Sequence, residues 1–269
     1  MAITTLDGLI AGLKPPECFV KVTGTLEAIG QFHSLFYTAG RPGAAVAPTP
    51  GLAGAALTSY AGQIPFQGAV GGQNIHLARF EGAISTPGKL ILADRLWHNS
   101  GIVVTTTTAQ TINSAAWPAR DAAGSTNGEG IHVALEVSTA TTNAGAITNM
   151  TMSYTNQAGV AGRTATMSSF PATAVAGTFA PFILQAGDTG VRSIQSLTLG
   201  TSLAAGTVHL VAFRIITSLN VAVPNVGGFL DAVSSGMPRM YDNSVPFIVL
   251  LPTATTAVNI CGQVVYTQG

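Results

Sequence analysis

Charge is what this sequence has least of. Asp, Glu, Lys and Arg make up 8% of the chain, while 47% of it is hydrophobic; ordinary soluble domains carry roughly 25% charged residues. A protein living free in water keeps its neighbours apart with charge. A surface drawn instead from Thr, Ser, Asn, Gly and Ala is suited to being covered, and it predicts permanent assembly with other subunits. Eleven basic residues face eleven acidic ones, so there is no electrostatic footprint for nucleic acid and no direct nucleic-acid partner is expected. No apolar run reaches the length of a membrane span, and the first residues lack the basic, apolar and small-residue order of a signal peptide. The expectation is a product folded in a cytosol without a membrane partner. Cysteine is nearly missing as well: Cys18 and Cys261 sit at opposite ends of the sequence and read as buried thiols, with an inter-subunit bridge after assembly left open.

The motifs that declare enzymes are also lacking. The glycines between Gly51 and Gly72 have neither dinucleotide nor P-loop spacing, and no Gly-x-Ser-x-Gly elbow is present. Asp188-Thr-Gly190 matches the tripeptide of aspartic proteases, which need two such carboxylates. It occurs once, with Arg192 close by to keep the carboxylate ionised, so turn chemistry is the better reading. Two His/carboxylate pairs, Asp94 with His98 and His132 with Glu136, have four-residue spacing, but neither has a third ligand and no metal or cofactor is expected. The segment Asp121 to Glu129 lacks the alternating acids of a calcium loop and reads as a flexible, solvated surface loop.

What the chain does have is strand patterning. Ile131, Val133, Leu135 and Val137 alternate with His132, Ala134, Glu136 and Ser138, the period of a strand with one buried face. Met150 to Thr155 follows, then a hairpin connection rich in Asn and Gly up to Gly162 and a return strand from Arg163 to Met167. Phe182 to Gln185, Ile194 to Leu199 and Val208 to Ile216 continue the set. Ile75 to Phe80, Ile102 to Thr108, Pro246 to Pro252 and Ala257 to Tyr266 also read as strands; Leu90 to His98 reads equally as helix or strand. Short strands at this spacing predict a mainly β fold, an antiparallel, jelly-roll-like β-sandwich.

The N-terminal part differs. Ile3, Leu6, Leu9, Ile10 and Leu13 share one helical face behind a Thr4/Asp7 capping pair, and Pro15 and Pro16 end that helix. Leu26, Ile29, Phe32, His33 and Phe36 suggest a second helix within Val22 to Tyr37, and Val226 to Val233 suggests a turn or two more. Gly40 to Gly72 is rich in proline and glycine yet carries Leu52, Leu57, Tyr60, Ile64, Phe66 and Val70, so it reads as a long arm pinned over another surface. The expected organisation is residues 1–72 as N-terminal helices and arm, packed as one unit with a β-sandwich of residues 73–269.

Three stretches resemble a family of tailed-bacteriophage virion structural proteins, of the head decoration or minor capsid type. They are Ser153-Tyr-Thr-Asn-Gln-Ala-Gly-Val-Ala-Gly-Arg-Thr-Ala-Thr166, Ala186-Gly-Asp-Thr-Gly-Val-Arg-Ser-Ile-Gln-Ser-Leu-Thr198 and Met237-Pro-Arg-Met-Tyr-Asp242; the opening Met1-Ala-Ile-Thr-Thr-Leu-Asp-Gly8 is similar too. The resemblance brings no catalytic residues and implies a virion component on the capsid exterior, assembled in a bacterial cytoplasm. Combined with the low charge, it leads to a non-enzymatic decoration or cement subunit. Its expected partners are further copies of itself, as a trimer, and the major capsid protein or other virion proteins. Candidate contact residues are Ile3, Leu6, Leu9, Leu13, Leu52, Leu57, Tyr60 and Phe66, together with Arg163 and Arg192 as scarce charges at subunit boundaries. Rival expectations are a neck, tail or fibre-anchor component, and a receptor- or glycan-binding sandwich using Trp97, Trp117, Tyr154 and Tyr241 as stacking residues.

Overall fold

In the computed structural model, residues 3–269 are described; the first two residues of the Met1–Gly8 stretch lie outside them. Three antiparallel sheets make up the fold, with strands numbered in chain order. The central sheet runs β11 (Phe179–Pro181), β8 (Ile131–Thr139), β13 (Thr207–Val221), β6 (Gly88–His98), β16 (Pro246–Pro252), β2 (His33–Ser34), and β4 (Ala55–Ala56) also pairs with β6. A four-stranded sheet runs β10 (Arg163–Thr166), β9 (Thr151–Asn156), β12 (Val191–Thr198), β7 (Ala109–Thr111). The third runs β14 (Gly228–Leu230), β5 (Ile75–Ile84), β17 (Asn259–Gln268), β1 (Glu17–Val22), β3 (Gly40–Arg41), with β15 (Arg239–Met240) also on β5. The molecule is an antiparallel β-sandwich with a short N-terminal helix, α1 (Leu6–Ala11), and a long N-terminal loop.

The long central strands explain why there are three cores. Toward the four-stranded sheet, β6 and β13 send Leu96, Trp97, Leu210 and Ala212 to meet Met152, Tyr154, Ile194 and Leu197. Toward the third sheet they send Leu90, Leu92, Leu219 and Val221 to meet Phe19, Leu77, Phe80 and Val264. Two bulges, with Leu96 extra on β6 and Ile216 extra on β13, break the register where one core gives way to the other. The opposite face of the central sheet carries Ile91, Ala93, Ala134, Val211, Phe213, Phe247 and Val249, and Phe36, Tyr37, Ala45 and Tyr60 of the N-terminal segment cover part of it. A strand covered on both faces has no polar side to show. This is why Leu90 to His98 shows no alternation of apolar and polar residues, and its period decides nothing.

The expected helix over Val22 to Tyr37 is not formed. Its apolar spacing is helical, but the residues serve different walls: Leu26 and Leu35 enter the core under the third sheet, Phe36 covers the central sheet, and Ile29 is exposed. The backbone bonds outward, from Leu26 N to Thr255 O at 2.8 Å, Ser34 N to Gly177 O at 2.7 Å and Leu35 N to Ile248 O at 2.9 Å. Distant loop and strand carbonyls thus take the N–H groups a helix would have used internally. Sequence reading also passed over β1, where Lys21 occupies an inward position between Phe19 and Thr23. Its ammonium donates to Thr38 O and Pro42 O at 2.9 and 2.7 Å, fastening the start of the arm, and burial lowers its pKa to about 8.

Other boundaries move for local reasons. Ile102 to Thr108 is a loop, because the Gln110 side chain bonds both Val103 N and Val103 O and so does the work of a partner strand. The strand expected over Phe182 to Gln185 lies earlier, at β11. Val226 to Val233 splits into β14 and the first half of a single turn, α2 (Ala232–Ser235), capped by Asp231. Thr5, not Thr4, caps α1 by accepting from Gly8 N. Gly54, at φ 67°, sits where an added Cβ would lie 2.3 Å from the Trp97 indole, which lets the arm lie flat on that ring.

The faces of the third sheet make a direct test. Leu77→Ala on β5, whose side chain is wholly buried, is expected to cost ~2–5 kcal/mol. Val20→Thr on the outer face of β1 is expected to stay within ~0.5 kcal/mol of the parent. Urea unfolding measures both, and equal losses would contradict this assignment of inside and outside.

Candidate functional site

About a third of the ionised side chains in this protein are turned inward. Of eleven basic and eleven acidic residues, seven are buried: Lys21, Asp94, Arg95, Arg120, Asp121, Glu136 and Arg214. Asp94, on β6 where the two inner cores meet, accepts from Arg120 Nε at 3.0 Å and Nη2 at 3.3 Å, from Ser244 Oγ at 3.1 Å and from Val245 N at 2.7 Å. Arg120 spends two further donors on Leu57 O at 2.7 Å and Arg95 O at 3.1 Å. One ion pair therefore joins the arm, β6, the segment before β8 and the entry to β16. The next residue organises its own loop: Asp121 accepts from the backbone N of Ala123, Ser125, Gly128 and Glu129 and from Ser125 Oγ. The expected flexible, solvated loop is a structured one around a buried carboxylate. Burial pushes the Asp121 carboxyl up, but these donors outweigh it and its pKa lies below the usual range.

On the other face of the central sheet, Arg95 Nη2 meets Glu136 Oε2 at 2.6 Å with both side chains fully buried. Burial alone would raise the Glu136 carboxyl; the Arg95 charge reverses this and leaves it below its ordinary value. Phe36 covers the guanidinium with its ring centroid 4.3 Å away. Arg95 Nε donates to His98 Nδ1 at 3.3 Å, while His209 lies 2.8 Å from both Ser138 Oγ and Asn99 O. Burial lowers His33 to about 4 and His98 to about 2, and lowers His209 and His132 as well. These rings are neutral and structural at neutral pH. The four-residue pairs do not come together as ligand sets: Asp94 is taken by Arg120 on the inner face, and Glu136 by Arg95. Among the described residues no group of three or more His, Cys, Asp or Glu could hold a metal ion.

Asp188 sits in a turn between strands, as its sequence suggests, but its partner is Arg163. Arg163 donates from Nε at 2.9 Å and Nη2 at 3.2 Å, Tyr154 from its hydroxyl at 2.5 Å and Asn156 from Nδ2 at 2.7 Å. The Arg163 fork, with these neutral donors, pulls the Asp188 carboxyl down to about 2. Arg192 is exposed instead. An ionised carboxylate with all its donors structural is a strut for the β9–β10 hairpin.

The remaining candidates divide between core and surface. Leu57 is buried, Leu52 packs against the core under the four-stranded sheet, Tyr60 stacks on Phe36 at 5.7 Å and Phe66 packs edge-on to Tyr266 at 5.2 Å. The arm is thus pinned on its own chain at these points. By contrast α1 buries nothing of its own: Leu6 is 71% exposed, Ile10 56% and Leu13 46%, with Ile3 and Leu9 partly covered. Trp97, Trp117 and Tyr154 are core residues, the two indoles edge to face at 5.2 Å; only Tyr241 of the four expected stacking aromatics reaches the surface. Cys18 and Cys261 are free thiols and exposed, not buried. They face the same way from paired strands, Cys18 opposite Gln263 and Cys261 opposite Val20, because the inward positions of β1 and β17 belong to Phe19, Ile260 and Val264.

The class these features define is an antiparallel β-sandwich whose buried charges are structural. No family model matches the sequence, and no curated protein matches it. Among solved structures, a chain of the "Structure of infectious bursal disease virus Gt strain" is similar at 11% identity over 96% of this chain and 67% of that chain, with a TM-score of 0.14. At that score the likeness carries no argument about fold or function.

Two outcomes test the charge clusters. Arg120→Ala leaves Asp94 buried without its counter-ion and is expected to cost ~3–5 kcal/mol in denaturant unfolding, and a loss no larger than that of a surface substitution would contradict its role. For His33, the ring is neutral in both states above its ordinary pKa of 6.5. Between there and about 4 only the unfolded chain takes up the proton, so stability falls as pH is lowered through that window. The melting temperature is expected to drop from pH 7 to pH 4, and His33→Gln to flatten that slope; an unchanged slope would rule His33 out.

Proposed function

We propose that this chain is a non-enzymatic structural subunit of a tailed-phage virion, a decoration or cement protein that works as a homo-oligomer on the capsid exterior. The observation that carries the reading is the withdrawal of charge from the surface. With seven ionised side chains inside, the outside is poorer in charge than composition implies, while sixteen large hydrophobic residues are exposed among the described ones. Such a surface costs free energy in water and recovers it when covered.

The mechanism is mass action: contacts made only between folded, assembled copies stabilise the lattice and not the lone chain. The projecting side chains of Leu6 and Ile10 on α1, with Leu13 just beyond it, are the part best placed to reach a neighbouring copy, because no residue of α1 is buried in its own chain. The outer face of β1 and β17, with Val20, Val22 and the two thiols, is a second contact face. Neighbours in this reading are sibling subunits, taken as a trimer, and the major capsid protein. The sequence resemblance to virion proteins supports the setting, and the structural use of Asp188, Glu136 and the buried His33, His98 and His209 supports a role without chemistry.

Substituting Leu6→Glu and Ile10→Glu together is expected to shift the purified protein from oligomer toward monomer in size-exclusion chromatography with light scattering. Circular dichroism should not change, since neither residue is buried. An unchanged oligomer in the double variant would remove α1 from the contact, and a parent protein that is monomeric at every concentration tried would sink the assembly reading.

A further inference from the structure

A cleft of about 330 Å³ opens beside β15, walled by residues 239–243, 73–75 and 118–120. None of the contacts proposed above uses it. Its volume falls at the low end of the roughly 300–1,000 Å³ range of ligand clefts. The floor is rigid: Arg120 is held by Asp94, Leu57 O and Arg95 O, and Met240 is buried. Tyr241 forms one wall. Its ring is fixed by Arg214 and Arg239, whose guanidinium carbons lie 5.0 and 4.8 Å from its centroid, and by Gly124, where an added Cβ would come within 2.7 Å of it.

The rim carries the informative chemistry. Among the described residues, no hydrogen bond within the chain occupies the side chains of Gln73, Asn74 or Asn243 or the guanidinium of Arg239, and Asp242 uses only Oδ1, accepting from Ala69 N at 2.7 Å. Here amides, one carboxylate oxygen and one guanidinium converge around an aromatic wall with donors and acceptors still open, and the two exposed charges, Arg239 and Asp242, are of opposite sign. An anion would meet Asp242 and a cation would meet Arg239. A neutral ligand dense in hydroxyl groups, each both donor and acceptor, matches amide, carboxylate and guanidinium partners together.

We propose that this cleft is a carbohydrate-binding site for a neutral sugar unit, with Asp242, Asn243 and Asn74 bonding vicinal hydroxyls and Tyr241 forming the apolar wall. The site is independent of the assembly reading and stands if that reading fails. The test is a glycan array of neutral and acidic oligosaccharides, followed by titration of the best neutral hit into the full chain. Variants are Asp242→Ala, Asn74→Ala and Asn243→Gly; the last removes the amide while suiting the backbone φ of 61° at that position. Binding to neutral glycans, weakened about tenfold or more by Asn74→Ala and Asn243→Gly with unchanged melting temperature, is the expected result. No binding to any neutral glycan, binding confined to acidic ones, or binding indifferent to all three variants would each overturn it. Because Asp242 also holds Ala69 N, a loss seen in Asp242→Ala alone counts against the proposal.

Discussion

The bidentate pair between Asp94 and Arg120 is the interaction on which most of this structure rests. Much of the central sheet is covered on both faces, so a polar group buried on it must find its partners inside the protein. Asp94 does so by drawing in Arg120 from one segment and Ser244 and Val245 from another, while Arg120 reaches Leu57 of the arm and Arg95 of β6. Four distant parts of the chain are thereby fixed around one carboxylate, at the seam where the two inner cores meet. A pair of this kind adds little net stability over apolar packing. It does fix which segments meet there, since a misplaced arm or loop would leave a charge buried and alone.

The same economy shapes the outside. Arg95 and Glu136 neutralise each other beneath Phe36, Asp188 is spent on a hairpin and Asp121 on a loop, so less charge remains to solvate the surface. Large apolar side chains stay exposed, most plainly on α1 and on the outer face of β1 and β17. In the proposed role this is one property seen from two sides: the interior takes the charges, and the exterior keeps the area through which copies associate. The cleft at Tyr241 gathers several hydrogen-bonding side chains that stay open.

How much of this the sequence disclosed depends on how each strand is buried. Strands with one wet face, such as β9 with Met152 and Tyr154 inward, show their period plainly, and the hairpin at Gly159 and Gly162 follows. Strands covered on both faces lose it, which left Leu90 to His98 ambiguous. The segment from Val22 to Tyr37 misled because side chains serving separate cores happened to fall at helical intervals, and β1 went unseen because Lys21 is inward and hydrogen-bonded. The site was less legible. Arg163, not the nearer-numbered Arg192, meets Asp188, and nothing local in sequence announces that Arg120 will reach Asp94 or that Asp121 will gather five donors. Those contacts depend on sheet order, which one sequence does not display.

Sedimentation equilibrium of the purified chain across a range of salt concentrations tests the central claim most directly. Association through uncharged surface predicts an oligomer that dissociates on dilution and whose affinity is unchanged or strengthened as salt rises. A species that stays monomeric when concentrated, or an oligomer that falls apart as salt is added, would contradict it.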